Sequence, residues 1–263
     1  MDYRHITVTT SSGVLTLTLN RPEVLNSLNR LMAEEIQHAL STFRDEASLR
    51  ALLLTGAGRG FCAGQDLASL IGADGAVATD LAPIVRECYS PIIRSLRTIE
   101  KPIVAAVNGI AAGAGANLAL ACDIVIAADK ASFVQSFSKV GLVPDSGGTF
   151  MLPRLVGLAR ASAMMMLGDR IDATTAQSIG LIHQVVPVES VMTEAQKLAT
   201  HLATQPTTGL GLIKRALNAS LTNTLDEQLA LEAQLQGQAG ATADYREGVA
   251  AFLAKRPAAF VGR

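Results

Sequence analysis

Tryptophan is missing from this chain, and aromatic residues of all kinds make up 4% of it. Successive nucleobases would find no platform to stack on, which argues against a single-strand nucleic-acid binder. An excess of one charge is missing too: 22 Lys and Arg stand against 23 Asp and Glu, a formal net charge of -1. That balance gives no electrostatic reason to expect nucleic acid or an anionic membrane as a partner. Cysteines are few and far apart (Cys62, Cys88, Cys122) and show no metal-ligand spacing. Their odd number favours reduced thiols and a cytoplasmic setting. The histidines, His5, His38, His183 and His201, form no ligand pattern either, so no metal is expected. The most apolar stretch, "IVAAVNGIAAGAGANLALA", is broken by glycines and two asparagines and falls short of a membrane helix. The opening "MDYRHITVTTSSG" lacks the apolar core and cleavage site of a signal peptide.

What is present is a globular composition, 49% hydrophobic and 17% charged over 263 residues, enough for one large domain or one with a smaller appendage. "ITVTTSSGVLTLTLN" alternates apolar and polar residues around Ser-Ser-Gly and predicts a β-hairpin. "NRLMAEEIQHALSTFRDE" places Leu31, Ile36, Leu40 and Phe43 at helical spacing. "RALLLTGAG" and "KPIVAAVNG" are short apolar runs ending in glycine, the pattern of buried parallel strands, and "CDIVIAAD" and "ASFVQ" follow them. Strands alternating with helices predict an α/β fold with a mostly parallel sheet. Beyond Val143 the pattern predicts an almost wholly helical remainder, with boundaries at Pro206 and Pro257.

Two glycine-rich loops each follow a predicted strand: "GAGRGFCAGQDL", Gly56 to Leu67, and "NGIAAGAGANLAL", Asn108 to Leu120. Glycine and alanine let backbone N–H groups approach a ligand, and N–H groups opening a helix favour developing negative charge. "GAGAN" supplies only the first part of a dinucleotide fingerprint, and a phosphate-binding P-loop is absent. Either loop alone is accounted for by tight turns and helix packing. Together they suit a pair of N–H donors aimed at one oxygen.

"RGFCAGQDL", "KPIVAAVNGIAAGAGANLALACDIVIAAD" and "GDRIDATTAQSIGLIHQVV" resemble the enoyl-CoA hydratase/isomerase (crotonase) superfamily. The resemblance runs from "LNRPEVLNSLN" to "DYREGVAAFLAKR", nearly the whole chain. It implies a crotonase-like spiral of ββα units over residues 1–200 and a helical C-terminal region over 201–263. That region would mediate a homotrimer or a dimer of trimers. It also implies a coenzyme A thioester substrate, no separate cofactor, and oxyanion donors at the backbone N–H groups of Gln65 and Ala114. Ala63, Gly64, Asp66 and Leu67 would adjoin the substrate beside them. Arg21 and Leu25, in "NRPEVLN", would line the coenzyme A groove, with Lys214 and Lys255 as further candidates for its phosphates. For Asp66 a helix cap on "DLASL" is a competing role. Cys62 shares the first loop but has no histidine close in sequence to activate it.

Hydratases of the superfamily carry two glutamates, and the matching positions here are Asn117 and Phe137. Neither exchanges a proton, which argues against water addition. Asn117 then reads as a hydrogen-bonding contact to substrate or a local backbone partner. The carboxylate that remains is Asp145 in "VGLVPDSGGT". Its simplest role is a helix N-cap, yet a single carboxylate opposite an oxyanion hole suits isomerisation. Phe137, Val140 and Leu142 would make the acyl pocket apolar. Within the superfamily, "FVQSFSKVGLVPDSGGT" and the C-terminal tail are most similar to ring 1,2-epoxyphenylacetyl-CoA isomerases of phenylacetate degradation, which form an oxepin. A hydratase of the same pathway is a candidate partner. The alternatives are an enoyl-CoA hydratase, a Δ3-Δ2-enoyl-CoA isomerase and a non-catalytic binding subunit. A hydrolytic dehalogenase fits less well, since Cys88, Ser90 and Pro91 occupy the region where its histidine would stand.

Overall fold

The structure, a computed structural model, describes residues 2–72 and 74–263. It opens with an antiparallel hairpin, β1 (Ile6–Ser11) and β2 (Val14–Leu19), in which Ser11 pairs with Val14. Ser12 and Gly13 between them both take positive φ, the two-residue turn whose twist matches that of the flanking strands. Helix α1 (Arg30–Asp45) starts where the Asn29 side chain accepts the Met32 N–H at 2.9 Å.

Three successive turns follow, each placing one strand in each of two sheets. Strand β3 (Ala51–Gly56) leads to β4 (Gly60–Cys62), β5 (Ile103–Val107) to β6 (Ile110–Ala112), and β7 (Ile124–Ala128) to β8 (Ser132–Val134). The six-stranded sheet runs β1-β2-β3-β5-β7-β10 and the four-stranded one β4-β6-β8-β9. All pairs except β1–β2 and β8–β9 are parallel. Every residue of β3 and β5 is buried, as expected of parallel strands covered on both faces. The expected α/β spiral of ββα turns is thus the arrangement seen.

Between the first two turns the chain forms α2 (Ala82–Ile84), a π turn (Val85–Tyr89) and α3 (Ser90–Thr98), one continuous helical stretch. Pro91 explains the widened turn. It has no N–H to offer the Glu87 carbonyl, and the Ser90 N–H bonds Val85 O, five residues back. The freed Glu87 carbonyl accepts instead from Gln37 Nε2 at 2.8 Å, and the same group donates to Cys88 O at 3.1 Å.

Helix α4 (Ala114–Leu120) follows β6, and α5 (Gly148–Val156) and α6 (Leu158–Leu167) follow β8. One expectation needs correction here. The region after Val143 is not continuously helical: β9 (Arg170–Asp172) pairs with β8, α7 (Ala173–Ser178) follows, and β10 (Gln184–Val186) pairs with β7. Three-residue strands are too short to show periodicity and exist because a neighbour supplies their hydrogen bonds. Helix α8 (Val191–Ala203) then packs across β3, β5 and β7. Helices α9 (Thr207–Ser220), α10 (Leu225–Gly240) and α11 (Ala243–Leu253) complete the chain, and no helix among the described residues is long and apolar enough to cross a membrane.

Candidate active site

The two glycine loops lie side by side because β4 and β6, the strands that lead into them, are paired at Gly60↔Ile110 and Cys62↔Ala111. Two asparagines fasten this region. Asn26, fully buried, donates from Nδ2 to the carbonyls of Ala57 and Gly60, and Asn108 donates to those of Gly58 and Gly60. Gly64 has φ +91, and a Cβ on it would lie 2.8 Å from Ala112 O and 3.5 Å from Ala114 N. Gly113 has φ +52 and ψ −125, a region open to glycine. These two turns orient the peptides that follow them, so that the Gln65 and Ala114 N–H groups have no hydrogen-bond acceptor among the described residues. Ala114 opens α4, where a helix leaves its first N–H groups unpaired.

Gly115, next along, has no room for a side chain: a Cβ there would overlap the Cys62 carbonyl oxygen and lie 2.7 Å from Sγ. Gly115→Ala is expected to push α4 away from the first loop, destabilising the fold by about 1–3 kcal/mol. Chemical denaturation and steady-state kinetics on the variant check this, and the accompanying fall in kcat should exceed any rise in KM.

Residues from both loops line a cavity of about 270 Å³, together with Tyr89 and the segment from Ser136 to Asp145. Of the residues singled out from sequence, Ala63, Gly64, Gln65, Leu67, Ala114, Phe137, Val140, Leu142 and Asp145 line it. Asp145 is its one carboxylate among the described residues. The Ser146 hydroxyl donates to Asp145 Oδ1 at 2.9 Å. Burial pushes the Asp145 carboxyl above the ordinary aspartate range, with the Ser146 hydrogen bond acting against it. Asp145 does not cap a helix with its side chain: α5 starts from Gly147, which has φ +72. A wider cavity of about 570 Å³, lined also by Arg86, Ser90 and Pro144, shares Leu81, Val85, Leu142 and Asp145 with the first.

The structure places several of the expected residues outside this cavity. Asn117 is buried and turned away from the cavity, donating to the Asp145 carbonyl and accepting from Gln135. Arg21 and Asp66 lie outside the cavity, paired at 2.8 Å, and Arg21 also donates to Ser27 O. Asp66 makes no side-chain cap on the short 3-10 turn Leu67–Leu70. Leu25 lies outside it too, packed against Gly60. Lys214 is unavailable to a phosphate, being buried in an ion pair with Asp123 at 2.8 Å. Lys255 is exposed, just beyond α11. Burial holds the Cys62 thiol up at about 12, against the pull of the Gly64 N–H, so it is no nucleophile at neutral pH.

Tyr89 is the site residue that sequence reasoning missed. It ends the π turn, is buried, and its hydroxyl donates to Gln65 Oε1. Gln65 Nε2 in turn donates to Asp66 O and Ser69 Oγ, at 3.0 and 3.1 Å. The Gln65 side chain is thereby anchored, which fixes the peptide that carries its free N–H. Burial, and then the charge of Asp145, raise the Tyr89 phenol above its ordinary value, so it stays a neutral donor. Pro91 was the available signal, because a proline that widens a helical turn changes which residue faces inward.

The sequence profile described as Enoyl-CoA hydratase/isomerase matches residues 9–263. The chain is 55% identical to the 1,2-epoxyphenylacetyl-CoA isomerase of Escherichia coli (strain K12), over 95% of this chain and 96% of that protein. It is 48% identical to a "Probable enoyl-CoA hydratase" of Rhodobacter capsulatus over the full length of both. Among solved structures, an enoyl-CoA hydratase from Bacillus anthracis superposes with a TM-score of 0.91 at 34% identity, covering 99% of this chain and 100% of that one.

Proposed function

The chain belongs to the enoyl-CoA hydratase/isomerase family, and from that premise we propose that it isomerises an acyl-CoA thioester by moving a proton without consuming water. The substrate we assign is 1,2-epoxyphenylacetyl-CoA, converted to the oxepin, with double-bond shifts in unsaturated acyl-CoA as related chemistry. The observation that carries this reading is the lone carboxylate, Asp145, in a cavity whose other walls are largely apolar.

Removing a proton beside a thioester places negative charge on its carbonyl oxygen. The unpaired N–H groups of Gln65 and Ala114 are suited to receive that oxygen, each worth roughly 3 kcal/mol of transition-state stabilisation. Asp145 takes the proton from one carbon and returns it to another, and its raised pKa suits it to both steps. Water addition calls for a second acid–base group, and Asn117 and Phe137 supply none. Each missing group is worth about 100- to 10,000-fold. Sequence identity to the E. coli isomerase agrees with this choice.

Assembly as a homotrimer or dimer of trimers is part of the same reading. It is supported by apolar side chains on α10 and α11 that face solvent, such as Leu225 at 72% and Phe252 at 83% exposure. Three free, buried thiols support a reducing, cytoplasmic setting. Incubation with epoxidised phenylacetyl-CoA should give a product of unchanged mass and altered absorbance, while crotonyl-CoA stays almost unhydrated. Rapid hydration of crotonyl-CoA, with the epoxide untouched, would overturn the assignment.

A further inference from the structure

Asn117 stands where a hydratase of this family has an acid, yet its side chain touches no part of the cavity. It is the fourth residue of α4, the helix whose first residue offers the free Ala114 N–H. Its amide is 2% exposed and engaged at both ends. Nδ2 donates to the Asp145 carbonyl at 2.8 Å, and Oδ1 accepts from Gln135 Nε2 at 2.8 Å. Gln135 directly precedes Ser136 and Phe137, which line the cavity. One amide therefore ties together the helix carrying an oxyanion donor, the turn carrying the apolar wall and the loop carrying the acid.

We propose that Asn117 is a positioning residue, whose hydrogen bond to the Asp145 carbonyl sets the distance between the acid and the Ala114 N–H. The proposal rests on the isomerase reading above and adds a residue that acts through Asp145 without meeting the substrate. Two observations support it besides the hydrogen bonds. The residue after Asp145 is held in an uncommon conformation, Ser146 being a non-glycine at φ +50, and such backbone persists only where neighbours enforce it. The start of α5 also closes on the amide: a Cβ on Gly148 would overlap Asn117 Nδ2. A carboxylate cannot replace the amide, because it would set an oxygen against the Asp145 carbonyl where a donor is needed. An ionised acid at position 117 and this placement of Asp145 therefore oppose one another, which links the loss of the second acid to the position of the first.

The test compares Asn117→Asp, Asn117→Ala and Gly148→Ala with wild type, using epoxidised phenylacetyl-CoA for kinetics and ¹³C NMR of labelled aspartate to titrate Asp145. The Tyr89 phenol feels that carboxyl's charge, Lys139 shares the first cavity with it and Arg86 the second, and all three variants leave them intact. Per mole of folded protein, each variant should lose about 10- to 100-fold in kcat, the scale of misplacing a reacting group by about 1 Å. KM should hardly change. Asn117→Ala/Gly148→Ala should be no worse than Asn117→Ala, since both act on one hydrogen bond. With the loop released to water, the Asp145 titration in Asn117→Ala should fall towards the ordinary aspartate range. A merely structural role predicts lower thermal stability with kcat per folded molecule and the Asp145 midpoint unchanged, and that result would overturn the proposal. The NMR arm does not depend on the substrate, so failure of the functional reading is distinguishable from failure of the strut.

Discussion

Asp145→Asn is expected to lower kcat for isomerisation by about 100- to 10,000-fold, the range for losing a positioned acid–base group, while acyl-CoA binding remains measurable. The amide keeps the shape of the carboxylate and still accepts from the Ser146 hydroxyl, but it cannot take up a proton. The same variant should be more thermostable than wild type at neutral pH. The Asp145 carboxyl titrates above its ordinary value in the folded protein because it is buried. The folded state therefore holds that proton more tightly than the unfolded chain does. The resulting stabilisation is complete below the unfolded value of about 3.9 and is lost as pH rises through the folded value. Above the folded value the ionised group counts against folding, and replacing it should return about 0.5–2 kcal/mol, as when a destabilised active site is relieved. Thermal melts of both proteins from pH 4 to pH 8 should show a gap that narrows towards acid. The acid limb of wild-type kcat/KM should also lie above pH 3.9, since the base must be ionised. Unchanged turnover in the variant removes Asp145 from the mechanism.

Ala114→Pro addresses the opposite face of the site and should cost about 100- to 1,000-fold in kcat, the usual effect of losing one oxyanion donor. Ala114 is the first residue of α4, the position where a helix tolerates proline because no intrahelical bond uses that N–H. The substitution deletes the donor while sparing the helix. The ring carbon would also occupy the place meant for the thioester oxygen, so KM should rise with the fall in kcat. Circular dichroism and a thermal melt close to wild type, combined with collapsed activity, are the expected pair of results. Full activity would mean that the Ala114 N–H has no part in catalysis.

These two variants test the parts of the site that were legible in the sequence. Glycine-rich loops after short apolar strands announce backbone donors, because glycine and alanine leave the peptide uncovered. Asp145 drew attention as a charge among apolar and glycine neighbours. The hairpin and the buried strands β3, β5 and β7 were equally legible, since their patterns are local. Strands β9 and β10 were not, because the sheets that recruit them are built from distant sequence. Side-chain direction was the harder quantity. Asn117 lies on the helix that opens at the site, yet its amide faces the back of the Asp145 loop. Arg21 and Asp66, 45 positions apart in the chain, neutralise each other in a pairing that sequence spacing does not reveal. Tyr89 reaches the first loop because Pro91 widens a turn and Gln37, from another helix, satisfies the Glu87 carbonyl released by it.

That widened turn holds one residue more than an ordinary α turn, so the helix before it and the helix after it are out of phase by a single position. Deleting Pro91 itself would remove the cause of the widening, and regular winding through Ile92 and Leu96 would then withdraw the tyrosyl hydroxyl from Gln65. A one-codon change thus separates two versions of the same scaffold, alike in packing and different in the group they present to the acyl chain.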